Sequence, residues 1–512
     1  MEVGERLLAS GGRERGGGGN GDGDGVGVSA LSSGWKTLKE ETKRMGYMAG
    51  PMVAVNLSQY FLQIVSVMMV GHLGELSLSS TAIAISFCAV TGFSPLFGMS
   101  SALETLCGQA YGAEQYQKFS IQIHTGIFCL VLVCLPLSLV WIFMGKLLVL
   151  MGQDPEISLE AGRFATCLIP ALFAYGTLQP LVRYFQTQSL VFPLLVSSLV
   201  TIIFHLALCW TLVFHSSFRN LGAAIAIGLS YWLNVILLAL YMKYSPDCAK
   251  TKTRVRISME LFPGVREFFS FAVPSAVMIC LQWWSFEFLT MLSGLLPNPK
   301  LETSVLSVWE EDCRLIDFNF SILGSLAVLT TLYAIPDGLG AAVSTRVSNE
   351  LGAGNPQAAR CAVRVAMLIT VSGVAVISTV LFITRHSFGY IFSNEEEVVH
   401  YVESMAPLLC LSVILDNLQG VLSGVARGCG WQDIGAYINL GAYYVCGIPV
   451  AATLGFYAHL RGKGLWIGIQ IGSFVQTALL IIVTTCTDWD KQADRARDRI
   501  FRGRSQKNNA LE

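Results

Sequence analysis

Apolar stretches of about 20 residues follow one another from Tyr47 almost to the C-terminus. Each is long enough to cross a hydrocarbon layer about 30 Å thick as a helix. In lipid the backbone must satisfy its own hydrogen bonds, so such stretches have little choice but to be helical. They fall at 47–70, 78–102, 121–143, 164–184, 190–213 and 221–242, and after a basic gap at 268–292, 321–343, 361–384, 404–426, 434–456 and 464–485. The expected fold is an all-α integral membrane protein of twelve transmembrane helices. Charge supports this reading, since only 13% of the 512 residues are Asp, Glu, Lys or Arg, about half the share of a soluble domain. The net charge of −1 offers no basic surface, so nucleic acid is not an expected partner. The partners expected are the bilayer and small organic solutes, acting on a monomer.

The ends differ from this apolar body. Residues 1–34, with the run Gly16–Asp24, read as a disordered Gly-rich tail that has nothing to bury. The remaining boundaries expected are a first lobe at 35–245, a basic linker at 246–267, a second lobe at 268–487 and a basic tail at 488–512. With both termini on one face, the opposite face keeps only Lys146, Arg163, Arg219, Lys300, Arg314, Arg385, Arg461 and Lys463 of the 34 Lys and Arg. Cationic side chains accumulate on cytoplasmic segments, so both termini are expected in the cytoplasm. A vacuolar or a plasma membrane suits that orientation.

The two halves repeat. Pro51, Gln59 and Gly71 return as Pro274, Gln282 and Gly294, and Gly98, Ala102, Thr105, Gly112 and Ala113 as Gly338, Ala342, Thr345, Gly352 and Ala353. Leu178 and Gln179 return as Leu418 and Gln419. Six spans per half is even, which makes two parallel, pseudo-symmetric six-helix lobes, an arrangement typical of secondary transporters. The second copy carries an insertion near 308–326, rich in charge at Glu310, Glu311, Asp312, Arg314 and Asp317. Five charges in so short a run do not belong in lipid. The segment reads either as an enlarged loop or as unspliced coding material.

No chemistry of an enzyme is visible. The Walker run, H-E-x-x-H and G-x-S-x-G are all missing, and the 14 Cys form no C-x-x-C pair. No cofactor is expected, and an ion gradient, of H+ or alternatively Na+, must supply the energy. Ionisable residues deep in a span are then the first functional candidates. Glu287 and Asp416 lie within the seventh and tenth spans, and a carboxyl group in a dry site can exchange a proton near neutral pH. Glu104 falls at the cytoplasmic end of the second span, where a helix-end contact is the expected role. Asn56, Gln59, Gln282 and Asn439 either line a polar cavity or tie helices together. Trp283, Trp284, Phe286 and Tyr333 either wall that cavity for planar or cationic solutes or are ordinary lipid-facing or packing aromatics. Pro51, Pro274 and Pro336 should bend their spans, and Gly420, Gly424 and Gly428 mark one face suited to close helix approach.

Several of these segments together resemble the multidrug and toxic compound extrusion (MATE) family, in its plant, detoxification-protein branch. They are Gly50-Pro51, Val70-Gly71-His72-Leu73-Gly74, the run from Ala102 to Ala113, Pro336-Asp337-Gly338, the run from Val347 to Gly354, and the run from Gln419 to Gly428. The resemblance covers about residues 36–490. It implies the MATE fold of two six-helix lobes and cation-coupled efflux by alternating access. It further implies that the acidic residues of helices seven and ten, by position Glu287 and Asp416, couple protons to transport. The segment before span eight departs from the family pattern. The function expected is proton-coupled antiport of secondary metabolites, xenobiotics or organic cations. The alternatives are a sodium-coupled exporter, a lipid-linked flippase of the same architecture, or a transport-inactive splice form.

Overall fold

The computed structural model describes residues 23–249, 251, 262–293, 320–388 and 396–508. Twelve long helices account for most of them. They are α1 (Gly23–Gly71), α2 (Glu75–Gly112), α3 (Tyr116–Ile142), α4 (Pro155–Thr187), α5 (Val191–Phe214) and α6 (Asn220–Tyr244). The second set is α7 (Phe262–Ser293), α8 (Phe320–Gly352), α9 (Pro356–Phe388), α10 (Glu396–Cys429), α11 (Gln432–Tyr457) and α12 (Arg461–Cys486). A polar helix, α13 (Trp489–Asn508), follows. Eleven of the twelve satisfy a length and hydropathy criterion for crossing a membrane among the described residues, and the expected eighth span falls within α8.

Two differences from the sequence expectation concern helix ends. α1 begins at Gly23, inside the stretch expected to be disordered, while residues 1–22 lie outside the described residues. Extending an existing helix costs far less than starting one. α2 runs on to Gly112, ten residues past the expected end of its apolar span. Of the 308–326 insertion, residues 308–319 lie outside the described residues, and 320–326 open α8.

Prolines and π turns break the regularity of the spans. Pro51, Pro274 and Pro336 all lie inside helices, as do Pro136, Pro170, Pro180 and Pro407. α2 contains a π turn at Ala89–Phe93 just before Pro95, and α11 contains two, Leu440–Gly447 and Thr453–Tyr457, around Pro449. Such turns absorb the backbone groups that proline leaves unpaired. Leu368, Val371, Val376, Val380 and Ile383 of α9 form an exposed apolar surface. Only hydrocarbon makes such a face inexpensive.

The lobes are related by a pseudo-twofold axis, α1–α6 matching α7–α12. Where α4 packs on α6 and α5 on α1, α10 packs on α12 and α11 on α7. The turn after α2 and the turn after α8 make the same three backbone bonds. Ala113 N to Gln109 O, Glu114 N to Tyr111 O and Gln115 N to Ala110 O match Ala353 N to Asn349 O, Gly354 N to Leu351 O and Asn355 N to Glu350 O. Between lobes, α1 meets α8, α7 meets α2, and α2 meets α8. Gly112 leaves no room for a Cβ against the Asn349 carbonyl, and its mate Gly352 leaves none against that of Gln109. The lobes therefore touch backbone to backbone on the face where the first half of α1 meets α13, the terminal face. Within the second lobe, α10 lies against α8 through Gly420, Gly424 and Gly428, as their spacing suggests.

Candidate functional site

Asp416 lies half-buried in the middle of α10, inside the second lobe. Its neighbours are hydroxyls. Ser473 of α12 hydrogen-bonds to its carboxylate, and Tyr443 of α11 is within electrostatic reach. The chain of contacts continues from there. Tyr443 Oη lies 3.2 Å from Ser473 Oγ and donates to Gln476 Oε1 at 2.7 Å. Gln476 Nε2 donates to Asn439 Oδ1 at 2.7 Å, and Asn439 Nδ2 donates to the Met278 carbonyl of α7 at 2.6 Å. One turn above Asp416, Ser412 accepts a bond from Trp466 Nε1 at 2.9 Å. Four helices thus share one polar path through an apolar lobe. Asn439 is one of its members and is fully buried.

Glu287 looks elsewhere. It accepts a hydrogen bond from Ser86 Oγ of α2 at 3.5 Å, across the boundary between lobes. Phe286, its neighbour on α7, faces Tyr443 with ring centroids 6.3 Å apart. Gln282 explains this geometry. It is paired with Gln419 of α10, and Glu287 follows it by five residues, which turns the side chain about 140° away. Along the axis, however, Asp416 stands about 4.5 Å and Glu287 about 7.5 Å beyond the paired glutamines, both away from the terminal face. The two carboxyl groups share a level and face different elements.

The remaining candidates distribute over both lobes. Trp283 stacks on Phe97 of α2 at 5.9 Å and stays 36% exposed, and Trp284 Nε1 donates to the Val90 carbonyl in the π turn of α2 at 3.2 Å. Asn56 and Gln59 are half-buried on α1. Tyr333 belongs to α8, and its side chain lies outside the described residues.

Nearer the terminal face is a charge cluster that the sequence reading did not find. Glu104 is not at a helix end but eight residues inside α2, buried, with Arg183 Nη1 2.7 Å from Oε1 and Arg427 Nε 3.0 Å from Oε2. Arg183 belongs to α4 and Arg427 to α10, so the carboxylate joins the lobes. Asp337 of α8 is half-buried, lies within electrostatic reach of both arginines and hydrogen-bonds with Tyr60 of α1. Around the cluster, Thr105 Oγ1 donates to the Arg427 carbonyl, and Gln432 Nε2 donates to Thr105 Oγ1 at 2.6 Å. Gln109 Nε2 donates to the Gly428 carbonyl at 3.4 Å, and its twofold mate Asn349 donates to the Thr187 carbonyl at 3.0 Å. These bonds close the cleft between lobes on the terminal face.

A twelve-helix body in two twofold-related lobes, with polar paths inside one lobe and a closed charge cluster between them, has a known counterpart. The family model MatE matches residues 51–211 and 322–453. The chain belongs to the MatE family. Among curated relatives, Protein DETOXIFICATION 14 of Arabidopsis thaliana is 59% identical over 461 residues, covering 90% of this chain and 91% of that one. Protein DETOXIFICATION 12 of the same plant is 56% identical over 471 residues, covering 91% and 94%. The crystal structure of the eukaryotic MATE transporter AtDTX14 superposes with a TM-score of 0.83 at 59% identity, covering 91% of this chain and 100% of that one. The Vibrio cholerae MATE transporter VcmN in its bent form shares the fold, with a TM-score of 0.73 at 16% identity, covering 91% and 99%.

MatE membership settles the class, a membrane transporter rather than an enzyme. The structure, for its part, brings together residues that the sequence alone leaves apart. Arg183 and Arg427 were each a cation at the edge of an apolar run, and Asp337 one letter of a motif. Their partner Glu104 is 79 residues from the first and 323 from the second. The usable signal was the repeat, which sets Glu104 and Thr105 opposite Ser344 and Thr345 at the axis between lobes.

Proposed function

We propose that this MatE chain is a proton-coupled antiporter that exports organic solutes by alternating access. One observation carries the proposal: the contrast between its carboxylates. Glu104 is held between two guanidinium groups and is a fixed charge. Asp416 is set among hydroxyls in the middle of α10, where gaining or losing a proton changes which bonds it donates and accepts. Protonation lets Asp416 donate rather than only accept, which re-orders the path through Ser473, Tyr443, Gln476 and Asn439 to α7. Glu287, on the same helix and bonded to the opposite lobe, is placed to carry that change across the cleft. Deprotonation from the cytoplasmic side restores a negative cavity that accepts cargo.

The name DETOXIFICATION borne by the relatives supports secondary metabolites, xenobiotics or organic cations as the cargo class. Exposed aromatic surface at Trp283 suits planar or cationic solutes. We place the termini in the cytoplasm, in a plasma or vacuolar membrane, and the working unit as a monomer. The test is uptake or release of ethidium by proteoliposomes under an imposed pH gradient. Flux that follows the gradient supports the reading, whereas flux that follows sodium at constant pH replaces it with sodium coupling.

A further inference from the structure

We propose that Arg499 of α13 is a positioning residue of the transport cycle, through which α13 straps the two lobes together on the terminal face. α13 (Trp489–Asn508) follows the last membrane-spanning helix on the terminal face. It does not simply trail from the second lobe. Trp489 packs on Trp431 with centroids 6.3 Å apart, and Ala493, Ala496 and Ile500 are buried along one side of the helix. Lys491, Arg495 and Arg497 are exposed. A helix with one small apolar face buried and one charged face in water is docked.

Arg499 reaches both lobes at once. Nη1 donates to Gln109 Oε1 of α2 at 3.1 Å, and Nη2 donates to the Cys429 carbonyl at the end of α10 at 3.3 Å. Its guanidinium also lies over the Phe271 ring of α7 at 5.7 Å. Lys118 of α3, in the first lobe, donates to the Arg499 carbonyl at 2.9 Å and is itself 3.2 Å from Glu267 of α7. Gln109 is the residue that already bonds to the Gly428 carbonyl across the cleft. Arg499 therefore holds in place the groups that close the terminal face. For the cleft to open toward that face, α2 must leave α10, and Arg499 must release one or both. The inference rests on the alternating-access reading above.

Two native thiols report the opening. Cys107 of α2 is fully buried, within electrostatic reach of Glu267 on α7, and Cys429 is fully buried beside Arg499. Cys209 is buried inside the first lobe and serves as the control for unfolding. The experiment measures alkylation rates of these three by a water-soluble maleimide on the full chain in lipid nanodiscs, read by peptide mass spectrometry. Arg499→Ala should raise the rate at Cys107 and Cys429 about tenfold, the effect expected for losing charge-assisted hydrogen bonds. Cys209 should stay unchanged, and Arg499→Lys should stay near wild type. A rise at Cys429 alone would make α13 a local cover, and an unchanged Cys107 or a parallel rise at Cys209 would overturn the proposal. No substrate or gradient is needed, so a chain that passes here and shows no proton-driven flux keeps the strap and loses the coupling.

Discussion

Gln282 of α7 and Gln419 of α10 exchange two amide hydrogen bonds, each Nε2 donating to the other's Oε1, at 3.1 and 2.8 Å. Gln419 also donates to Ser423 at 3.1 Å and is buried. The pair pins the register of the helices that carry Glu287 and Asp416.

Removing one partner strands the other amide. Gln282→Leu should therefore lower stability by about 1–3 kcal/mol. The double variant Gln282→Leu/Gln419→Leu should recover part of that loss, giving a coupling energy above about 0.5 kcal/mol. Thermal unfolding of the four proteins in one detergent closes the cycle, and strict additivity would separate the two residues.

Glu104 makes a larger prediction. Glu104→Gln leaves Arg183 buried and Arg427 half-buried, without the carboxylate they share. The expected loss is about 3–5 kcal/mol, the range for breaking a buried ion pair from one side. Monodispersity and melting temperature in detergent check it. A variant as stable as wild type would show that the cluster contributes nothing to closing the terminal face.

The backbone approach at Gly112 and Gly352 is equally specific. A methyl group on either meets a carbonyl of the opposite lobe, which cannot rotate away as a side chain would. Gly112→Ala and Gly352→Ala should each cost about 1–3 kcal/mol and raise maleimide labelling of Cys107 by prying the terminal face apart. Gly373, which has open space at the Cβ position, is the control, and Gly373→Ala should leave labelling unaltered.

Much of the fold was legible because lipid leaves a chain few options. Apolar runs of one length had to be helices, and the offsets linking Gln59 to Gln282 and Gly112 to Gly352 disclose the twofold axis in the sequence itself. Helix ends were less legible. An apolar run stops at its first charge, but α2 continues through Glu104 to Gly112 because its polar groups find partners on the other lobe. The same blindness hid the cluster. A lone Arg183 or Arg427 reads as an interfacial cation until the fold brings both to one carboxylate. Glu287 and Asp416 were visible as carboxyl groups inside spans, yet their facing was not. That depends on five residues of helical rotation from Gln282, which a list of spans does not contain.

The most direct test of the central claim is pH-gradient-driven ethidium efflux from proteoliposomes bearing wild type or Asp416→Asn, with thermal unfolding measured on both. Asn keeps the shape and a hydrogen bond to Ser473 but cannot carry a proton. Proton-driven efflux should vanish in Asp416→Asn while the protein stays folded. Efflux in Asp416→Asn at the wild-type rate, and with wild-type dependence on the gradient, would contradict the account.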